Sequence, residues 1–314
     1  MKNVALLISI TLFVAIAGCS SSKDDPLKFE NYLVVNNETT TALHFTNSDV
    51  GCVVTESGNI YRTTDGGKSF SLAGNSGGRR LNDVYFVNDN LGIACGSRGA
   101  LLRTSDAGSA WSLIAVDTTI DLTGIGFPDD EFGVVAGNVN TGEQTGFGAI
   151  GTSSDKGMNW RFTVTEQTGF SRVDVVPSDH AWILGDESLN YTTDRGQSWD
   201  HAASRVQTVN YLLFTDVQDG WQVGDNGLLR HSSDGGWSWQ DKLKMTEANL
   251  SCLAAPEPGQ IYIAGDNFVA VSTNYGRNWI MDDVSHKTSF VDMHSVGHDI
   301  FILGNKGELI RMSY

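Results

Sequence analysis

The sequence predicts an all-β chain, a single seven-bladed β-propeller of four-stranded antiparallel blades closed by the N-terminal strand. Three observations carry that prediction. A short motif recurs six times, at intervals of 41, 49, 39, 40 and 40 residues. Between its copies lie runs of four to seven residues, rich in Val, Ile, Leu and aromatics and bounded by Gly, Asp and Asn, with no sustained helical period. Gly supplies 35 of the 314 residues and Pro only 5, without a three-residue period, which excludes collagen and Pro-rich linkers. Units of ~40 residues cannot hide their own apolar faces, so they must stack on one another.

The first element is a targeting segment. Met1-Lys2-Asn3 is a positive start, and Val4 to Ala17 is an apolar run too short to span a ~30 Å hydrocarbon core as a helix. It ends in Ile16-Ala17-Gly18-Cys19, which resembles the bacterial lipobox and implies lipidation of Cys19. Residues 1–18 are therefore read as a lipoprotein signal peptide and 19–28 as a lipidated tether, with the ring over 29–314. Acyl chains at ~0.8 kcal/mol per buried methylene hold such a protein on a membrane. Serines after Cys19 argue against inner-membrane retention, and Lys23-Asp24-Asp25 is similar to surface-export signals of Bacteroidota lipoproteins. The expected location is the cell envelope, on the outer membrane, with periplasmic or surface orientation left open.

Phe29 to Asn36 (FENYLVVN) reads as a spare strand ahead of the first blade. First strands then fall near Leu43, Val84, Leu122, Val173, Leu212, Leu253 and Val291. The second blade reads LNDVYFV, LGIACG, ALLRTS and WSLIAV; the fifth reads NYLLFTD, GWQVG, LLRHS and WQDKL. The seventh has SFVDMHS, DIFILG and ELIRMS and then runs out. Pairing the spare strand beside the last one closes the ring and removes both edges. Six blades with an open edge is the alternative, and it leaves two hydrophobic strands unpaired.

The motif itself is TTDGGKSF, TSDAGSAW, SSDKGMNW, TTDRGQSW, SSDGGWSW and STNYGRNW. Its acidic position is Asp65, Asp106, Asp155, Asp194, Asp234 and finally Asn274; the aromatics are Phe70, Trp111, Trp160, Trp199, Trp239 and Trp279. An Asp carboxylate accepts backbone N–H groups just after it, and the Gly two residues on takes φ > 0 at little cost. The pattern resembles the Asp-box, or bacterial neuraminidase repeat, which implies structural rather than catalytic aspartates. From Lys28 to Tyr314 the chain is also similar to the propeller family of photosystem II assembly and stability factors. The cadence shared with that family runs here from Gly96-Ser97-Arg98-Gly99 to Trp111. That resemblance implies a non-catalytic assembly chaperone with an arginine patch; the lipobox and acidic tether point to a non-photosynthetic bacterium, so the photosystem role is not carried over.

A net charge of -16 argues against nucleic acid as a partner. Cys52, Cys95 and Cys252 are an odd set at wide spacing, neither a disulfide framework nor a zinc pattern, and read as buried thiols. The expected binding face carries the second-to-third-strand loops and the blade-to-blade crossings. Arg79, Arg80 and Arg98 gather there, beside an insertion at Asn138 to Gly148 that contributes Glu143 and Phe147. Guanidinium forks suit carboxylates and anionic glycans, so a protein or anionic glycan partner is expected, with no cofactor and no metal. A glycan-active hydrolase or lyase is the alternative, since sialidases share the Asp-box. Against it, the chain has no Arg-Ile-Pro segment, and Arg62, Arg103 and Arg311 share one third-strand register outside the channel. His294 and His298 have the spacing of a helical metal pair but lie in a strand-and-turn region.

Overall fold

The computed structural model describes residues 28–313 except 115, 142–144, 187, 204–207 and 283–287. Seven four-stranded antiparallel sheets make up the chain. The first strands of blades 1 to 7 are Thr40–Phe45, Leu81–Phe86, Ile120–Gly126, Arg172–Val175, Val209–Phe214, Leu250–Ala254 and Phe290–Val296. Each touches the first strand of both neighbouring blades, which closes the ring. A three-residue 3-10 turn, Asp225–Gly227, interrupts the β-structure in blade 5.

Closure uses the N-terminal strand. Lys28–Leu33 lies antiparallel beside Glu308–Ser313, with Lys28 opposite Ser313 and Leu33 opposite Glu308, as the outermost strand of blade 7. The strand starts one residue before Phe29 and stops at Leu33, although buried Val34 still donates its N–H to Gly307 at 2.8 Å. Without it, the third strand of blade 7 would present an open ladder of donors and acceptors.

Two expectations change in detail. The fourth strands of blades 2 and 5 shrink to Ser112–Leu113 and Gln240–Asp241, because an outermost strand is held by one ladder only. Of the extra residues of blade 3, those described lengthen the second and third strands, Gly133–Asn140 and Thr145–Ser153.

The blades pack through a repeated pair. A Cβ on Gly51, Gly92, Gly133 or Gly220 would come within 2.8 Å of the ring of Phe45, Phe86, Phe127 or Phe214. Only a bare α-carbon at the start of the second strand lets the phenyl ring at the end of the first lie flat upon it. The aromatics of the repeated turns fill the clefts between blades: Trp111, Trp160, Trp199 and Trp239 pack against successive apolar clusters. Cys52, Cys95 and Cys252 are free and buried in apolar clusters, and burial pushes the Cys52 thiol up to about 12.

Each repeated turn is built alike. In blade 2, Thr104 Oγ1 donates to Asp106 Oδ1 at 2.7 Å and accepts Gly108 N–H at 3.1 Å, while Asp106 Oδ1 accepts Ala110 N–H at 3.0 Å. The same bonds recur at Asp65, Asp155, Asp194, Asp234 and Asn274. Two consecutive residues take positive φ, not one: the residue before the glycine does so as well, at Gly66, Ala107, Lys156, Arg195, Gly235 and Tyr275. Its carbonyl is a docking point for the preceding blade. Arg62 Nε donates to Ala107 O at 2.7 Å and Arg103 Nε to Lys156 O at 3.0 Å; Arg311 Nη1 reaches Gly66 O at 3.5 Å. The shared arginine register is thus a blade-to-blade staple.

Candidate functional site

The two ends of the channel are unlike. The repeated turns mark one face. The other face carries the second-to-third-strand turns and the blade crossings, and the first strands begin there. Near that mouth a small polar residue of one first strand reaches the next blade. Thr41 Oγ1 donates to Leu81 O at 2.8 Å, Asn82 Nδ2 to Leu122 O at 2.6 Å and Thr123 Oγ1 to Phe170 O at 2.8 Å. Asn210 Nδ2 donates to Leu250 O at 3.0 Å, and Ser251 Oγ to Phe290 O. Blade 4 breaks the series, because Ser171 turns to Leu184 of its own blade. Blade 7 breaks it too, having Val291 there. The mouth opens as a vestibule of about 590 Å³ lined by Thr41, Asn82, Thr123 and Ser171, with Glu56 and Arg80 at its side.

Deeper in, the first strands stop repeating. Arg172 sits 3.5 Å from Asp292 with its guanidinium 3.3 Å above the Tyr211 ring centre, and the Tyr211 hydroxyl donates to Asp292 at 3.2 Å. Three aspartates accept the N–H of the next blade: Asp83 from Ile125 at 3.0 Å, Asp174 from Phe214 at 2.5 Å and Asp292 from Leu43 at 3.0 Å. Burial pushes the Asp83 and Asp174 carboxyls up to about 7, against the opposing pull of Arg172, and raises Asp292 as well. Below them His44 and His294 face each other with ring centres 4.0 Å apart. Burial holds both below the usual imidazole range, His294 at about 4. These groups bound a central cavity of about 330 Å³. The carboxylates, Arg172 and Tyr211 are spent chiefly on contacts between blades, whereas His294 Nδ1 is buried without a hydrogen-bond partner among the described residues.

The predicted arginine sector lies on the vestibule face. Arg80 is occupied: it pairs with Glu56, and its Nε donates to Asn82 at 2.7 Å. Arg79 and Arg98 come together, with Arg79 Nη1 3.5 Å from the Arg98 carbonyl. Arg98 holds φ +54 at the tip of its hairpin, and its N–H donates to Asp121 at 2.8 Å. The other Asp121 oxygen accepts Asn140 Nδ2 at 3.2 Å, which ties this tip to the long hairpin of blade 3. Phe147 lies on that hairpin, partly exposed; Glu143 lies outside the described residues. Cys19 also lies outside them. The turn aspartates stand on the opposite face, where hydrogen bonds from Ser69 and Ser198 hold Asp65 and Asp194 down to about 2. His294 is in a first strand, and His298 in the turn that follows it.

Sequence reasoning missed the Arg172 cluster and the polar latches. Aligning the seven first strands on one another, as the turns were aligned, puts Thr41, Asn82, Thr123, Asn210 and Ser251 in one column. The next column holds Asp83, Arg172, Tyr211 and Asp292.

Residues 25–175 match the profile of the family described as photosynthesis system II assembly factor YCF48. The photosystem II assembly protein Ycf48 of Thermosynechococcus vestitus is 28% identical over 187 residues, 56% of this chain and 54% of that protein. The photosystem II assembly lipoprotein Ycf48 of a Synechococcus species is 29% identical over 109 residues, 33% of this chain and 31% of that protein. The chain thus spans a third to a half of the length of these relatives. The solved structure of YCF48 bound to D1 peptide superposes with a TM-score of 0.74 at 20% identity, covering 94% of this chain and 97% of that one. Virginiamycin B lyase from Staphylococcus aureus superposes with a TM-score of 0.76 at 10% identity, covering 92% and 99%. At such identities the superpositions establish a shared fold.

Proposed function

We propose that this chain, a seven-bladed propeller resembling the photosystem II assembly factors, is a non-catalytic binding scaffold of a bacterial cell envelope. It captures a carboxylate-bearing protein segment or an anionic glycan on its vestibule face. One observation carries the reading: Arg79 and Arg98 lie side by side there, and neither pairs with a carboxylate among the described residues of a chain of charge -16. Unspent guanidinium groups on an acidic protein are positioned for an anionic partner. The relative solved with a D1 peptide supports a peptide-like occupant.

The anchor fits the same reading. Lys28 lies opposite Ser313, at the end of the third strand of blade 7, so the chain enters the ring on the turn face. A tether over residues 19–28, lipidated at Cys19, holds that face toward the outer membrane and turns the arginines away from it. The Ser20 to Asp25 run favours outer-membrane placement.

The test is cross-linking in cells from a photoreactive residue in place of exposed Phe147, on the hairpin tied to the Arg98 tip, read by mass spectrometry. The Arg79→Glu, Arg80→Glu, Arg98→Glu triple variant loses the adducts while keeping its melting temperature. Adducts unchanged by the triple variant overturn the site. Cys19→Ser moves the protein from the membrane to the soluble fraction; continued sedimentation with membranes overturns the anchor alone.

A further inference from the structure

The cleft between blades 3 and 4 differs from that between blades 1 and 2 at three positions of the repeat. At the staple register, where blades 1, 2 and 7 carry Arg62, Arg103 and Arg311, blade 3 carries Thr152, too short to cross. Between blades 1 and 2, Gly74 lies opposite Ile60, and a Cβ on it would stand 3.0 Å from Trp111; the tryptophan seats flat on bare backbone. Its counterpart opposite Ile150 is Thr163, which carries a side chain and lines a groove there. The tryptophan differs as well. Trp111, Trp160, Trp239 and Trp279 donate their indole N–H to the carbonyl of their own turn glycine at 3.0–3.2 Å. The Trp199 N–H has no acceptor among the described residues.

The result is a groove of about 760 Å³. Arg161, Thr163 and Thr165 alternate along one face of the fourth strand of blade 3 and form one wall. Asn190, Trp199 and His201 of blade 4 form the other. Thr165 Oγ1 is buried there without a hydrogen-bond partner, and Asn190 is buried at the base. The charge of Arg195 is already spent on Asp129 at 2.5 Å, with its guanidinium over Phe132. Arg161 at the start of the fourth strand of blade 3 and Glu166 just past its end are the other acidic and basic residues of the lining, so the groove has little net charge.

From this geometry we infer that the groove binds a neutral sugar unit, its ring against Trp199 and its hydroxyls on the indole N–H and Thr165. A hydroxyl both donates and accepts, which matches a lining of hydroxyl and amide groups. An apolar side chain would strand these groups unpaired. A phosphate would find one unspent guanidinium, Arg161, in a lining that also carries the carboxylate of Glu166. The inference is independent of the arginine face, which lies on another part of the molecule.

Saturation-transfer NMR tests it, using the full-length protein in a sugar-free zwitterionic detergent. The probes are maltose, cellobiose and N,N′-diacetylchitobiose, each at several millimolar. Transfer to the ring protons of at least one is the expected result. Trp199→Phe, which keeps the ring and removes the N–H, weakens that binding about tenfold. Trp111→Phe, whose N–H is tied to its own turn, leaves it unchanged. Should Trp199→Phe fail to fold by circular dichroism, Thr165→Val decides, with the same expected loss. No transfer from any of the three sugars overturns the assignment. Transfer undiminished in the folded variants also overturns it, as does displacement of the sugar by inorganic phosphate alone.

Discussion

The turn face and the channel both use aspartate to accept backbone N–H groups, yet their carboxyls move in opposite directions. Asp65 and Asp194 stand in solvent, where hydrogen bonds from Ser69 and Ser198 draw them down to about 2. Asp83 and Asp174 accept comparable bonds across a blade boundary, but enclosure by the ring carries them up to about 7. A hydrogen bond to a carboxylate is stabilising in both places. What differs is the cost of removing the charge from water, which is small at the rim and dominant at the axis. The rim therefore repeats the same device blade after blade, whereas the axis needs one cation, Arg172, to balance its acids.

The largest effect follows from removing that cation. Arg172→Met leaves Asp292 buried beside Tyr211 with no compensating charge, a change that costs on the order of 3–5 kcal/mol. Urea unfolding should show a large fall in midpoint at pH 8. A loss below about 1 kcal/mol would mean that the channel acids stay protonated and that the contrast with the rim is overstated.

The pH dependence sharpens the same contrast. Asp83 and Asp174 have folded pKa values above the ~3.9 of an unfolded aspartate. Their contribution is complete below about pH 4 and is lost as the pH climbs through about 7. Asp65 and Asp194 work the other way: their stabilisation is present above about pH 4 and is lost as the pH falls through about 2. Melting temperature should therefore fall between pH 6.5 and 8, a window above the depressed titrations of His44 and His294. Asp83→Asn with Asp174→Asn should flatten that slope, because the amide oxygen still accepts the Ile125 and Phe214 N–H. A slope unchanged by the double variant would assign it to other groups.

How much of this was legible in the sequence follows the same division. The turns recur at nearly constant spacing, so Asp65 and its counterparts announced themselves, and the counting of blades with them. The closing strand was readable because the seventh blade ran out of chain before its fourth strand. Arg172 was readable only as one member of a column of the aligned first strands: it occurs once, and its partners Asp83, Tyr211 and Asp292 come from three other blades. Only closing the ring brings them together. The arginine sector was read in part. Arg79 and Arg98 do meet, but the pairing of Arg80 with Glu56 depends on a turn of the preceding blade that spacing does not fix. The hairpin of blade 3 was read by length alone, and length does not distinguish a loop from two longer strands.

A middle-sized effect probes one rim turn. Thr104→Val removes the hydroxyl that donates to Asp106 and accepts Gly108 N–H, and should cost about 1–2 kcal/mol. The smallest effect tests why the residue before each turn glycine takes positive φ. Ala107 holds φ +58, a region costing ~1–2 kcal/mol for a residue with a Cβ. Glycine removes that strain but gives back ~0.5–1 kcal/mol of unfolded-state entropy. Ala107→Gly should thus stabilise by about 0.5 kcal/mol while the Arg62 staple to its carbonyl persists. Gly66 already occupies the same position in blade 1, and a Cβ there would stand 3.0 Å from the Ser48 carbonyl oxygen and closer still to Arg311 Nη1. Gly66→Ala should therefore destabilise by more than Ala107→Gly stabilises. Equal and opposite shifts in chemical unfolding would mean that backbone strain alone decides this position and that the arginine staples contribute nothing to it.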